Sequence, residues 1–202
     1  MCVGKRFVAP SCVSCRRAST TRSSGLPAPG SRMEIVSERV DLDPELGSLL
    51  IPNAVLHEIC QHALDVVPEE CCGLVLGTQE VRFRRAVRIT NVMTRMHVAD
   101  PRAFPRDARH AYYMSEVEYL RAIEEASASG ERVSGVYHSH FGQGCYLSRD
   151  DLAFAEHPLF PFPGAAQFVI SLLGQQIREV GVFEPVVDGT KRYMGRRVEA
   201  MP

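Results

Sequence analysis

The segment Val136-Tyr137-His138-Ser139-His140 constrains this chain most, because two histidines stand two residues apart at the end of an apolar run. In an extended strand, alternate side chains point to the same face of the sheet. His138 and His140 therefore share one face, and Ser139 points to the other. The pattern predicts a strand that presents two nitrogen donors to one point. Taken alone, His-x-His is also compatible with two polar surface histidines.

Ser148 and Asp151 follow this strand and allow two interpretations. A hydrolytic zinc site takes three ligands from the protein and leaves the fourth position to water, so Asp151 is a candidate third ligand. The Ser-x-x-Asp spacing before an apolar run is also typical of a helix capping box. The two interpretations are compatible, because a helix that begins at Ser148 would fix the direction of the Asp151 carboxylate in its first turn.

Length, charge and cysteine content narrow the class of protein. The 202 residues fit one domain, and a formal net charge of -1 gives no general reason to expect nucleic-acid binding. Residues 1–32 are rich in Ser, Pro and Gly, with six basic residues and no acidic one. We expect a disordered basic extension there, before a single domain over residues 33–202. The seven cysteines have no framework spacing, which favours reduced thiols in a cytoplasmic compartment.

Hydrophobic periodicity and chain breakers predict the order of the elements. Helices are expected over residues 52–66 and 115–130 and shortly after Asp151. Strands are expected over residues 71–77, 81–89, 133–138, 167–173, 177–183 and 191–198, the last at a sheet edge. Residues 91–113 contain two X-Pro breakers and predict a long loop and strand mixture near the site. The order indicates an α+β fold in which helices flank one mixed, curved sheet.

Several local signals refine these elements. Ser115 and Glu118 have the spacing of a capping box, and Gly130 is the expected stop of that helix. Residues 174–176 predict a hairpin turn. His57 and His62 are expected to be solvated or to lie at the rim of the first helix, because they are five residues apart and do not share a face.

Hydrolysis by such a site also needs a general base. Glu70, at the entrance of the Cys71-Cys72-Gly73 strand, is a candidate, and it is equally compatible with an ordinary solvated turn residue. Glu69 is adjacent and equally acidic. Sequence distance alone leaves this choice open.

Three stretches together resemble the JAMM (MPN-plus) zinc metalloproteases. They are the run from Pro68 to Gly77, the pair His138-Ser139-His140, and Ser148-Arg149-Asp150-Asp151. The family pattern places a Glu three residues before the Gly of the first strand, then His-x-His, seven residues, Ser, two residues and Asp. It matches Glu70 rather than Glu69, and Asp151 rather than Asp150. Because it lacks long insertions, the chain resembles the small stand-alone bacterial members of the family.

The resemblance implies a cytidine-deaminase-like α/β sandwich and a role for each motif residue. His138, His140 and Asp151 would hold one zinc ion, Glu70 would bind and deprotonate the metal's water, and Ser148 would donate a hydrogen bond to the oxyanion. The family cleaves bonds after the C-terminal Gly-Gly of ubiquitin-like proteins, and small bacterial relatives trim sulfur-carrier proteins, including release of cysteine. The implied partner is such a carrier protein, and neither a nucleic acid nor a membrane is expected as a partner. Its tail could add as a strand to a sheet edge near the site.

One departure from the pattern concerns the loop Phe141–Cys145, because many members have Pro where this chain has Phe141. The loop could therefore be more mobile than in those members. Cys145 could lie near the metal, or it could be an ordinary loop thiol. Two alternative functions also stay open. The chain could be a non-catalytic MPN-type binding scaffold, or a zinc hydrolase of a small amide. The sequence does not indicate the carrier, the released group or the oligomeric state.

Overall fold

A computed structural model describes residues 39–186 and 192–202. Within these residues the chain forms four helices and nine strands. The helices are α1 (Asn53–Asp65), α2 (Met93–Ala99), α3 (Glu116–Ala128) and α4 (Arg149–Ala155). The strands are β1 (Val40–Asp41), β2 (Leu49–Ile51), β3 (Cys72–Gly77), β4 (Arg85–Ile89), β5 (Arg132–Phe141), β6 (Tyr146–Leu147), β7 (Ala166–Leu173), β8 (Gln176–Pro185) and β9 (Tyr193–Ala200). The predicted disorder of residues 1–32 lies outside the described residues.

Seven strands form one mixed sheet in the order β2-β9-β8-β7-β5-β3-β4. Strand β5 lies inside this sheet, parallel to β7 and antiparallel to β3. Strands β1 and β6 pair separately as a small antiparallel sheet. The predicted α+β fold with helices around one mixed sheet is therefore confirmed.

The sheet separates two apolar layers. On one face, α1 buries Val55, Ile59 and Ala63, which recur at helical spacing. On the other face, α3 buries Ala122 and Ala126. Because side chains alternate along a strand, each β5 residue joins one layer or the other. Tyr137 packs in the α1 layer and Val136 in the α3 layer.

A third apolar cluster fixes α4 beside the C-terminal end of β5. It contains Cys145, Leu147, Leu152, Val169, Phe183 and Tyr193. Val169 of β7 is the register partner of His138 in β5. The cluster therefore joins the helix after Ser148 to the part of the sheet that carries the histidines.

Most predicted elements occur close to their expected positions. The helices over 52–66 and 115–130 correspond to α1 and α3, and Gly130 ends α3 with a positive φ of 69°. The hairpin is also present, with Gly174 at φ 59° between β7 and β8. Within the described ranges, no helix has the length and apolar character needed to cross a membrane.

Four local predictions are wrong. Residues 81–84 form an irregular connection, so only Arg85–Ile89 is a strand. Residues 91–113 contain α2, which buries no residue and so has no apolar stripe to reveal it. The last strand, β9, lies between β2 and β8 and not at the edge. The Ser115 side chain makes no capping bond, and the Glu118 carboxylate accepts instead from the Thr90 N–H.

Gly73 offers a test of the β3 packing. A Cβ added there would meet the Val87 carbonyl oxygen and the Tyr137 ring more closely than real Cβ atoms approach. We expect Gly73→Ala to lower the free energy of unfolding by about 1–3 kcal/mol, because backbone and a buried ring must move. Gly47→Ala is the control, since nothing lies within 4 Å of its added Cβ. Urea denaturation measures both, and equal stabilities would contradict the expectation.

Candidate metal centre

The end of β5 carries the two histidines on the α3 side of the sheet. His138 is fully buried and His140 is 5% exposed. Ser139 points to the opposite face, where its Oγ accepts a 2.8 Å hydrogen bond from the Cys71 N–H. The predicted strand and its alternation are therefore present in the structure.

Helix α4 supplies the third side chain through its N-terminal cap. Ser148 Oγ accepts from the Asp151 N–H at 3.2 Å, and Asp151 Oδ2 accepts from the Ser148 N–H at 2.9 Å. This reciprocal pair is a complete capping box, and it fixes the carboxylate as the sequence predicts. Asp150, by contrast, is exposed and forms an ion pair with Arg106 at 2.6 Å.

Three potential ligand atoms converge at this point. His138 Nε2 and His140 Nε2 are 3.1 Å apart, and the Asp151 oxygens lie 3.5 and 3.6 Å from them. In a tetrahedral zinc site with ligand bonds of about 2.0–2.1 Å, neighbouring ligand atoms are about 3.3–3.4 Å apart. Two imidazoles and a carboxylate are also a ligand set that zinc accepts. The residues therefore fit a zinc ion.

The rings are held with their Nε2 atoms toward the common point. His140 Nδ1 lies 3.1 Å from the Gly144 carbonyl oxygen, so Nδ1 carries a hydrogen and Nε2 is the ring atom left for a metal. The Tyr112 ring stacks on His138 with a centroid distance of 4.7 Å. Although burial opposes ionisation, the two imidazoles hold the pKa of Asp151 well below its usual range. Asp151 is therefore ionised at neutral pH, as a metal ligand must be.

Glu70 lies next to this cluster because of the strand register. Cys72 of β3 pairs with His138, and the Cys71 carbonyl oxygen accepts from the Ser139 N–H, so Glu70 directly precedes the paired residues, where the charges of His140 and Asp151 act on it. Glu70 is 5% exposed, whereas Glu69 is exposed. Burial raises the pKa of Glu70 to about 7, with a smaller upward effect from the Asp151 charge. The geometry thus places Glu70, and not Glu69, beside the potential ligands.

Asn91 braces Glu70 and had no signal in the sequence. Its side-chain N–H groups donate to the carbonyl oxygens of Glu70 and Ala111, and its carbonyl oxygen accepts from the N–H groups of Met93 and Tyr113. These bonds connect residues about 20 positions apart in the chain. A single amide in an irregular segment has no pattern from which such contacts could be predicted.

Cys145 lies away from the ligand cluster. Its thiol donates to the Val169 carbonyl at 3.3 Å, and burial raises its pKa to about 12. The potential ligand group among the described residues consists of His138, His140 and Asp151. The loop before Cys145 is tied to the sheet, because Ser171 Oγ donates to the Gln143 carbonyl at 2.5 Å. The structure therefore matches the plain-thiol alternative and not a metal-proximal Cys145.

The prediction of a solvated or rim His62 is wrong. His62 is buried, and its Nδ1 lies 2.8 Å from the Tyr137 hydroxyl, while His57 is exposed as expected. Burial, with a smaller effect of the Arg88 charge, lowers the pKa of His62 to about 4. The neutral ring is a structural partner of Tyr137 on the opposite face from the cluster.

Comparison with known proteins identifies the family. The model of the prokaryotic homologs of the JAB domain matches residues 52–182, which is most of the chain. The chain therefore belongs to this family, and the resemblance found in its motifs is confirmed. A search of curated proteins gave no match.

The chain is similar to several solved structures, and the first described here supports a shared fold. A protein of Desulfitobacterium hafniense is similar with a TM-score of 0.52 and 20% identity, over 75% of this chain and 90% of that one. A protein of Salinibacter ruber has a TM-score of 0.49 and 25% identity, over 76% and 90%. A JAB1/MPN domain protein of Archaeoglobus fulgidus has a TM-score of 0.44 and 15% identity, over 77% and 100%.

The raised pKa of Glu70 predicts a pH-dependent stability in protein stripped of metal by a chelator. The side chain binds a proton more readily when folded, at a pKa of about 7, than at its ordinary 4.5. Its stabilising effect is therefore complete below pH 4.5 and is lost as pH rises through 7. The difference corresponds to roughly 3 kcal/mol.

Urea denaturation at pH 5 and pH 8 measures this effect, with Glu70→Gln as the reference because glutamine does not titrate. We expect the wild type to lose about 2.5 kcal/mol more than the variant over this interval, since part of the effect is already lost at pH 5. Groups that do not interact with Glu70 titrate alike in both proteins and cancel in the comparison, whereas the pKa of His140, which the Glu70 charge raises, belongs to the measured difference. The same pH dependence in both proteins would contradict the raised pKa.

Proposed function

We propose that this protein is a zinc-dependent hydrolase that cleaves the peptide or isopeptide bond after the C-terminal Gly-Gly of a ubiquitin-like or sulfur-carrier protein. One observation carries the proposal. His138 Nε2 and His140 Nε2 lie 3.1 Å apart, each has an Asp151 carboxylate oxygen at 3.5 or 3.6 Å, and the buried carboxylate of Glu70 lies beside them. A site of this kind has both a place for a metal and a base.

His138, His140 and Asp151 would hold the zinc, which when bound supplies a Lewis acid and makes water acidic near neutral pH. Glu70 takes a proton from the attacking water and later delivers it to the leaving amine. The water oxygen bonds to the glycine carbonyl carbon, the C–N bond breaks, and the amine leaves with that proton. A pKa of about 7 for Glu70 suits both transfers, because such a group gives and takes a proton easily near neutral pH.

Ser148 is proposed to stabilise the oxyanion that forms on the substrate carbonyl. Its oxygen already accepts a hydrogen bond from the Asp151 N–H. The hydroxyl hydrogen is not used by that bond and is available for donation. The helix cap thus holds the oxygen in place while the hydrogen points elsewhere.

The burial of the site supports the proposed glycine-rich substrate, which is the substrate class implied by the resemblance of the motifs. His138, His140 and Glu70 are each at most 5% exposed. A chain with bulky side chains at the scissile bond would be held away from these groups, whereas a Gly-Gly tail can approach closely. The substrate tail is expected to add as a strand to a sheet edge, and β4 is one such edge. Room there is limited, because directly after β4 the Val92 N–H donates to the Tyr113 carbonyl and the Ser115 N–H donates to the Thr90 carbonyl.

Substitution of Glu70 tests the proposal. Purified wild type should contain one zinc per chain and cleave conjugates of β-grasp carriers that end in Gly-Gly. Glu70→Gln should keep the zinc and lose cleavage by a factor of about 10²–10⁴, because the proton carrier is gone. His140→Ala should lose both. Elemental analysis and mass spectrometry of the carriers measure the two properties.

The matched control is Glu69→Gln, which removes a neighbouring charge that is exposed and outside the cluster. It should keep both zinc and activity. Full activity of Glu70→Gln would contradict the assignment of the base. Wild type that folds normally, binds no zinc and cleaves none of the conjugates would instead favour the scaffold function.

The role of Ser148 gives a separate prediction. Ser148→Ala should lower kcat by about 10²–10³, through loss of an oxyanion donor. It should also lower the free energy of unfolding by about 1 kcal/mol, through loss of the cap. Ser148→Thr keeps a hydroxyl and should recover most of both quantities. Unchanged kcat in the alanine variant, with the expected loss of stability, would leave Ser148 only its capping role.

A further inference from the structure

Arg106 bridges two sides of the candidate site. It lies in the segment between α2 and α3, and its Nη2 contacts the Asp150 carboxylate at 2.6 Å across 44 residues of sequence. Asp150 precedes the potential ligand Asp151 in the first turn of α4. The arginine side chain is 49% exposed. Because a guanidinium has five N–H donors, this contact leaves others available to a ligand.

The segment that carries Arg106 also lies against Glu70, because the Glu70 N–H donates to the Ala108 carbonyl oxygen at 2.7 Å. Arg106, two residues before Ala108, is therefore near the group that delivers a proton to the leaving amine in the proposed reaction. A proton carrier must approach the leaving nitrogen to within hydrogen-bond distance. This places Arg106 on the leaving-group side of the site.

We propose that Arg106 binds the free α-carboxylate of a single residue that this protein releases from the C-terminus of its substrate. The inference rests on the proposed hydrolase function. In a terminal residue, one carbon separates the scissile nitrogen from the carboxylate, so a cation beside the leaving nitrogen is in position to bind it. Arginine suits this role because its planar fork matches the two oxygens of a carboxylate.

The surrounding charges favour a cation besides the metal. Asp151 partly offsets the charge of a bound zinc, and Glu70 and Asp150 are also acidic, so a carboxylate that binds beside them gains from a separate positive partner. The Asp150 carboxylate contacts the guanidinium in the free protein, and the substrate carboxylate would take its place. A lysine side chain joined through its ε-amino group has no carboxylate near the scissile bond. Arg106 would thus favour removal of one terminal residue over cleavage of an isopeptide bond.

Peptide binding tests this inference separately from catalysis. The probes are a synthetic hexapeptide that ends in Gly-Gly-Ala with a free carboxylate, and the same peptide as its C-terminal amide. Calorimetric titration uses zinc-loaded Glu70→Gln protein, which is expected not to cleave them. We expect the free acid to bind about tenfold more tightly than the amide, because it gains charge-assisted hydrogen bonds.

Variants added to the same protein separate the guanidinium from other causes. Arg106→Gln should abolish the difference between acid and amide. Arg109→Gln removes a positive charge from the same exposed segment and should preserve it. Asp150→Asn removes the competing carboxylate and should preserve or increase it. A difference that persists in Arg106→Gln would mean that the carboxylate binds elsewhere, for example to the metal, and would overturn the proposal.

Other outcomes have a definite meaning. Equal binding of acid and amide, or no binding of either at millimolar peptide, overturns the role of Arg106. Loss of the difference in Asp150→Asn as well would show that the ion pair matters only for structure, and overturns it too. Wild type that cleaves acid and amide equally well also counts against Arg106 but supports the hydrolase. Absence of zinc and of all cleavage counts against the hydrolase itself.

Discussion

The pairing of β3 with β5 is the constraint on which the candidate site depends. Its register puts Cys72 opposite His138, and the Cys71 N–H donates to Ser139 Oγ on the far face. A slip by one residue would turn both histidines away from Asp151 in α4 and into the α1 layer. Glu70 directly precedes this pair of strands and is close enough for the charges of His140 and Asp151 to act on it. One strand pair therefore positions two potential ligands and the potential base together.

The two carboxylates of the site differ in acidity because their surroundings differ. Asp151 is held between two imidazoles and accepts a backbone hydrogen bond from Ser148, so its pKa lies well below the usual range in spite of burial. Glu70 is buried with less compensation, so its pKa rises to about 7. Carboxylates whose pKa values are driven apart suit different tasks. The low pKa fits a ligand, and the value near neutrality fits a proton carrier.

Sequence reasoning succeeded where a repeat distance translates directly into geometry. Period-two spacing predicted that His138 and His140 share a face, and Ser148 to Asp151 predicted a capping box that is present. The same Ser-x-x-Glu spacing failed at Ser115, because the Glu118 carboxylate found the Thr90 N–H of a neighbouring segment. Tertiary contacts can thus replace a local bond that has the right spacing. The catalytic and metal-binding roles of the motif residues remain predictions.

The segment between β4 and α3 shows why motif residues alone do not make a site. Sequence patterns described it as irregular, yet Asn91 braces the backbone of Glu70, the Tyr112 ring covers His138, and Arg106 reaches α4. These contacts join parts of the chain that only the fold brings together. If another segment replaced this one, the side chains of His138, His140 and Asp151 would still come together, because β5 and α4 position them. The backbone of Glu70 and the surface around the site would be held less firmly, because the contacts of Asn91, Tyr112 and Arg106 would be lost.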